Sequence, residues 1–166
     1  MKKRTIHSMT AAALLAMTAH SAFAMTASSD SFQADPQLVE RGRYVAIVSG
    51  CNDCHSPGYA MNNGMLPESQ WLTGDGFGWR GPWGTTYGSN LRLFVSGMTE
   101  VEWIDSARNL RRRPPMPWFN LNQMHEEDLR ALYHFIRSLG EPGQPAPAAL
   151  APEQVPTSPH ANWVLD

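Results

Sequence analysis

Apolar positions along the chain predict three helices, the first of which is separated from the other two by a long stretch without regular spacing. The first helix is expected to begin at Asp35 and Pro36, because an N-cap residue followed by proline at the first helical position favours a helix start. Gly50 is expected to end it, directly before Cys51. Its apolar face is formed by residues at roughly helical spacing, namely Leu38, Val39, Tyr44, Val45 and Val48.

Two further helices are predicted in the second half of the chain. Thr99 and Glu102 have the spacing of a capping box, which marks the start of a short helix. The most regular helix covers residues 126–139 and carries three acidic residues in its first turn, where the helix dipole favours negative charge. Gly140 is expected to terminate it.

Residues 56–98 follow a different pattern, with frequent glycines, scattered aromatic rings and no long periodic segment. The stretches 73–76 and 81–84 have the composition of turns. A loop region of this length in a compact domain usually serves a function. Wrapping a large flat cofactor with aromatic side chains would be such a function.

The first 24 residues are typical of a secretory signal peptide. Lys2, Lys3 and Arg4 precede a short apolar run, and the small residues Ala22 and Ala24 mark a cleavage site. The run is shorter than the roughly 20 residues that span a bilayer. We therefore expect export to the periplasm, cleavage after Ala24 and no integral membrane anchor.

The remaining chain is expected to contain one domain between two irregular ends. Residues 25–34 are small and polar, which predicts a mobile leader, and residues 35–140 form the domain. Residues 141–166 contain six prolines, so we expect an extended Pro/Ala-rich tail that either packs along the domain or is mobile.

Charge narrows the classes of partner. Loss of the signal peptide leaves ten arginines, no lysine and fifteen acidic residues, so the mature chain carries a charge of about −5. No broad basic surface is available for nucleic acid. The one dense cluster is Arg111, Arg112 and Arg113, which could dock an acidic partner or form a solvated turn.

The only two cysteines, Cys51 and Cys54, stand directly before His55 in a Cys-x-x-Cys-His motif. This is the attachment signal for one covalently bound haem c. Each sulfur forms a thioether with a haem vinyl group, and the adjacent histidine becomes the proximal iron ligand. The alternatives are a thiol–disulfide pair, which lacks the expected βαβ context, and a zinc site, which lacks further cysteines.

On this motif and three other segments the chain resembles the monohaem class I cytochromes c of bacteria. These are periplasmic electron carriers and cytochrome subunits of dehydrogenases. Residues 41–46 (Arg-Gly-Arg-Tyr-Val-Ala) resemble the first helix of that family, residues 128–139 the last helix, and residues 115–117 (Pro-Met-Pro) the segment of the methionine ligand. The resemblance covers residues 36–140. It implies an all-α fold with long haem-wrapping loops, and a glycine at position 42 that lets the last helix cross closely.

Met116 is the predicted sixth ligand. It lies between two prolines, follows His55 at a distance that lets loops pass round the haem, and precedes the last helix, as the resemblance implies. Met98 is the second choice, Met61 and Met65 are weaker, and Met124 is expected to pack in the core. A bis-histidine site would instead recruit His125, His134 or His160.

These features predict an electron-transfer protein and not an enzyme. Its partners would be redox proteins, such as a dehydrogenase, an oxidase or another cytochrome. Two alternatives stay open: a haem enzyme or gas-binding protein with an open distal iron site, and a haem-free thiol–disulfide protein. The candidates for holding the haem propionates are Trp79, Arg80, Trp83, Tyr87 and Asn90.

Overall fold

The computed structural model describes residues 32–163, which contain six α-helices, two 3-10 turns and three short strands. The predicted signal peptide and residues 25–31 of the predicted leader lie outside the described residues. The helices are α1 (Pro36–Val48), α2 (Cys51–His55), α3 (Leu91–Ser96), α4 (Glu100–Asn109), α5 (Trp118–Asn122) and α6 (Glu126–Ser138). The 3-10 turns cover Ala60–Asn62 and Glu68–Gln70, and the strands are β1 (Gly78–Gly81), β2 (Gly84–Tyr87) and β3 (His160–Asn162).

The predicted helix starts are confirmed. The Asp35 side chain accepts hydrogen bonds from the backbone N–H groups of Gln37 and Leu38, and Pro36 is the first residue of α1. Thr99 and Glu102 form the reciprocal bonds of a capping box at the start of α4. No helix between residues 32 and 163 combines the length and the apolar character needed to cross a membrane.

The centre of the described region is the crossing of α1 and α6. A β-carbon on Gly42 would lie 2.0 Å from the Ala131 carbonyl oxygen and 2.6 Å from the Phe135 β-carbon. Glycine is therefore required for this close approach, as the resemblance implied. The core around the crossing consists mainly of apolar residues from α1, α3, α4 and α6, including Val45, Ala46, Val95, Trp103, Leu129, Leu132, Phe135 and Ile136.

A small sheet, which the all-α expectation omitted, consists of two strands from the predicted loop region 56–98 and one strand from the predicted tail. Its strand order is β2-β1-β3, with β1 antiparallel to β2 and parallel to β3. The strands have only three or four residues, and glycines stand at three of the four ends of β1 and β2. Such short strands carry no recognisable period of alternating residues.

The described part of the tail packs along the domain. Leu150 and Thr85 exchange two backbone hydrogen bonds of 3.1 and 2.9 Å, and β3 adds a strand to the edge of β1. At the other end, the Phe32 ring meets Tyr133 edge-on at a centroid distance of 5.5 Å. Packed chain therefore extends beyond both boundaries that we predicted for the domain.

Candidate cofactor site

Helix α2 brings the three residues of the motif together within one helical segment. Gly50 separates it from α1 with φ of +67°, a left-handed conformation that glycine adopts without strain. Cys51 and Cys54 are not bonded to each other, and both are half-buried. The helix thus presents two thiols one turn apart, with an imidazole beside the second.

His55 is buried, with 8% of its surface exposed, and its Nδ1 lies 2.7 Å from the carbonyl oxygen of Ser89. A carbonyl oxygen can only accept, so Nδ1 must carry a proton, and in the neutral ring Nε2 then keeps its lone pair. Burial lowers the pKa of His55, with the Ser89 bond acting in the opposite direction. A neutral imidazole with a free Nε2 and an anchored Nδ1 is the form in which histidine ligates a metal.

The segment from Leu72 to Asn90 closes over the backbone of α2. The Gly74 N–H donates to the His55 carbonyl at 2.8 Å. Gly88 lies so close that a β-carbon there would be 1.7 Å from the Cys54 carbonyl oxygen. This contact places Ser89 beside the imidazole. Neither residue was predicted, because any residue can supply the backbone acceptor of Ser89, and Gly88 is one of many glycines in this region.

A buried hydrogen-bond network connects α2 to the same segment. The Ser56 hydroxyl donates to Asn52 Oδ1 at 2.6 Å and accepts from the Leu72 N–H at 2.7 Å. All three residues are fully buried. This network was not predicted, since the asparagine is a variable position inside the motif and the serine directly after it carries no distinctive signal.

The environment of the cysteines is unfavourable for thiol–disulfide exchange. Burial raises the pKa of Cys51 to about 12 and also raises the pKa of Cys54. Exchange requires a thiolate, and reactive dithiols have lowered pKa values. The raised pKa values therefore favour sulfurs that form stable covalent bonds, and disfavour a redox-active dithiol.

The methionines divide by their surroundings. Met61 and Met65 are 86% and 78% exposed, whereas Met124 packs against the core, as predicted. Met98 and Met116 are both half-buried. Met116 lies between α4 and α5, where its carbonyl accepts from the Trp118 N–H at 2.9 Å, and its role as a ligand stays a prediction.

Among the candidate histidines, His134 has both ring nitrogens engaged. Its Nδ1 accepts from the Asp35 N–H at 3.0 Å, so Nε2 carries the proton and donates to Glu100 at 3.0 Å. His125 is exposed before α6, and His160 Nδ1 lies 2.9 Å from the Ser158 carbonyl. The arrangement of His134 argues against its use in a bis-histidine site.

The predicted propionate-binding residues lie on or beside the sheet, with protein partners of their own. Trp83 donates to the Trp79 carbonyl, and the Tyr87 hydroxyl pairs with Ser158. Asn90 caps α3 and donates to two carbonyls of the tail. Arg80 donates to Asn162, while its buried Nε has no protein partner among the described residues.

The donor set fits a covalently attached haem. Two neutral thiols, one helical turn apart, match the vinyl groups of one haem edge, and the adjacent imidazole offers Nε2 to iron. Between residues 32 and 163, no three or more His, Cys, Asp and Glu side chains converge on a common point.

Comparison with known proteins finds similarity to cytochrome subunits of dehydrogenases. The chain is 29% identical over 140 aligned residues to the cytochrome c subunit of alcohol dehydrogenase (quinone) from Gluconacetobacter polyoxogenes, and equally to that from Komagataeibacter europaeus. It is 26% identical over 125 residues to the fructose dehydrogenase cytochrome subunit of Gluconobacter japonicus.

These alignments cover 76% and 69% of this chain but only 27% and 24% of the relatives. The chain therefore spans about a quarter of the length of the relatives it matches. No family model matches the chain. No solved structure matches it either.

Proposed function

We propose that this protein is a periplasmic monohaem c-type cytochrome that carries single electrons between redox partners. The observation that carries the proposal is helix α2, where two thiols stand beside a buried imidazole whose Nδ1 is held by Ser89. When bound, the haem supplies an iron that alternates between ferric and ferrous states. Cys51 and Cys54 would hold the haem through thioether bonds to its vinyl groups, and His55 would offer Nε2 to the iron.

Met116 is the proposed sixth ligand. Exposure disfavours Met61 and Met65, and core packing disfavours Met124, which leaves Met98 and Met116 among the methionines that the structure describes. Proline on both sides of Met116 restricts the backbone of an otherwise irregular segment. If His55 and Met116 both bound the iron, no coordination site would stay open for a substrate, and the protein would act as a carrier and not as an enzyme.

The partner that we propose is a dehydrogenase, which the protein serves as cytochrome subunit or as acceptor. The support is the similarity to cytochrome subunits of alcohol and fructose dehydrogenases. Because this chain spans about a quarter of those subunits, the dehydrogenase and its substrate are not transferred from them.

The first test is a haem stain of the exported protein on a denaturing gel, with the double variant Cys51→Ala/Cys54→Ala as control. We expect a stained band from the parent and none from the variant. An unstained parent with two titratable thiols would support the thiol–disulfide alternative and overturn the proposal.

The second test compares visible spectra of the parent, Met116→Ala and Met98→Ala. We expect a low-spin oxidised parent with the weak far-red band of methionine–iron coordination, lost in Met116→Ala and kept in Met98→Ala. The opposite result would assign Met98. A high-spin parent would favour the haem enzyme or gas-binding alternative.

A further inference from the structure

No lysine occurs between residues 32 and 163, and the arginines there fall into distinct groups. Arg41, Arg43, Arg108 and Arg130 each form an ion pair with a carboxylate. Arg92 is buried and donates to backbone carbonyls. Arg80 and Arg137 are half-buried, and they donate to Asn162 and to backbone carbonyls respectively. The run 111–113 differs from all of these, because its three arginines are exposed and the ion pairs found within the described residues do not include them.

The guanidinium groups of this run are nevertheless positioned. Arg111 stacks 4.2 Å from the centroid of the Trp118 ring and donates to Asn122 Oδ1 at 2.8 Å. Arg112 lies 6.0 Å from the Phe94 ring, and Arg113 donates to the Leu150 carbonyl at 3.2 Å. Side chains held in this way lose less conformational entropy when they bind a partner.

An exposed aromatic side chain lies against the Trp118 ring on which Arg111 stacks. Phe119 is 55% exposed and meets Trp118 edge-on at 5.6 Å. Together Arg111, Arg112, Arg113, Trp118 and Phe119 form what we call the arginine–aromatic patch. Arginine, tryptophan and phenylalanine are enriched at protein–protein interfaces. In sequence, the patch lies on both sides of Met116.

We propose that the arginine–aromatic patch docks an acidic surface of a protein redox partner. Three positive charges without carboxylate partners concentrate in a chain whose acidic residues outnumber its basic ones, 15 to 13. Such an uneven distribution orients a partner of opposite charge during encounter. The planar guanidinium fork matches carboxylates in particular.

An anionic membrane is a poorer fit. Clusters that bind acidic lipids usually contain about four to eight basic residues, and this patch has three. The placement beside Met116 makes docking useful for electron transfer, and to that extent the inference rests on the proposed function. The docking surface and the proposed function are tested by separate measurements, so either can fail without the other.

The test uses two double variants with the same change in net charge. Arg112→Gln/Arg113→Gln alters the patch and leaves the stacked Arg111 in place. Arg41→Gln/Arg130→Gln is the control, because both arginines are exposed but paired with carboxylates. Circular dichroism checks that both variants fold like the parent.

The first readout is the salt concentration that elutes each protein from a poly-L-glutamate column, which requires no haem. We expect the patch variant to elute at a clearly lower salt concentration than the parent, and the control variant to elute at or only slightly below the salt concentration of the parent. Equal shifts in both variants would mean that net charge alone acts, and would overturn the proposal. Patch-dependent retention of a protein without a c-type spectrum would refute the proposed function but not the docking surface.

The second readout is the rate at which the ascorbate-reduced protein reduces an acidic blue-copper protein, measured by stopped flow at increasing ionic strength. At low salt we expect the patch variant to be slower by roughly tenfold, with a flatter salt dependence than the control. Identical rates in the two variants would contradict the proposal. Patch-dependent binding to vesicles of 70% phosphatidylcholine and 30% phosphatidylserine, without any rate difference, would assign the patch to a membrane instead.

Discussion

The crossing of α1 and α6 and the segment between His55 and Asn90 are held in place by different interactions. At the crossing, apolar side chains pack around Gly42, and hydrophobic burial supplies most of the stabilisation. The segment contributes only Trp71 and Leu72 to the buried residues of that core, and the part that covers α2 is held by individual hydrogen bonds and one close backbone contact at Gly88. Helix α2 joins the two regions, because it follows α1 directly and is covered by the segment.

This difference separates stability from the tuning of the site. Changes at the helix crossing should unfold the whole domain, since two-state domains lose their core as a unit. Changes in the segment should reach His55 with a smaller loss of global stability. The following substitutions test this separation, in order of decreasing effect.

Gly42→Ala should have the largest effect. Its β-carbon would lie 2.0 Å from the Ala131 carbonyl oxygen, so the two helices must move apart. We expect the free energy of unfolding to fall by about 3 kcal/mol in urea denaturation. Gly97→Ala is the matched control, because a β-carbon there meets no atom within 4 Å and should change stability by less than about 0.5 kcal/mol. Similar losses in both variants would show that the crossing is looser than described.

Arg92→Met tests the link between the two regions. Its buried guanidinium donates to the carbonyls of Glu68, Ser69 and Trp71 in the segment, and of Leu139 after α6. Removal leaves these acceptors without the donor, and we expect a loss of about 2 kcal/mol in the free energy of unfolding. Arg92→Lys keeps the charge but offers fewer donors and should lose less. If Arg92→Met is as stable as the parent, the hydrogen bonds of Arg92 do not join the two regions.

Ser56→Ala should be milder and more local. The substitution removes the acceptor of the Leu72 N–H and the donor to Asn52 Oδ1, both buried. We expect a loss of about 1 kcal/mol in stability, together with faster hydrogen exchange at the Leu72 amide than in the helices. Uniformly faster exchange across α1 and α6 would contradict the separation of the two regions.

Glu102→Gln should have the smallest effect, and one that depends on pH. Hydrogen bonds from the Thr99 backbone and hydroxyl lower the pKa of Glu102, so its charged form stabilises the folded protein. That stabilisation is present above the ordinary carboxyl pKa and is lost as pH falls through the lowered value. The difference in Tm between parent and variant should therefore shrink between pH 6 and pH 3. A constant difference over this range would mean that the charge plays no part.

Local sequence signals predicted the helical region well. Asp35 with Pro36, and Thr99 with Glu102, act through neighbours within three positions, so their effect is legible in the sequence itself. The Cys-x-x-Cys-His motif likewise lies within one helix. The resemblance added the close approach at Gly42, which the geometry confirms.

The remaining features depend on residues that are far apart along the chain. Arg80 of β1 lies beside Asn162 of β3, 82 positions later, and three-residue strands carry no pattern that could announce the pairing. The acceptor for His55 is a backbone carbonyl at Ser89, which any residue would provide. Ligation of the iron by Met116 would likewise depend on how segments far apart in the chain pack together, and it stays a prediction.

The absence of lysine between Phe32 and Trp163 has a practical consequence for handling the protein. Guanidinium groups keep their protons about two pH units beyond the point at which lysine amines lose theirs. The arginine–aromatic patch therefore stays cationic in alkaline buffers that would neutralise a lysine patch. Acylating reagents that label amines find no lysine target in this range, whereas dicarbonyl reagents, which modify guanidinium groups, would footprint the patch directly.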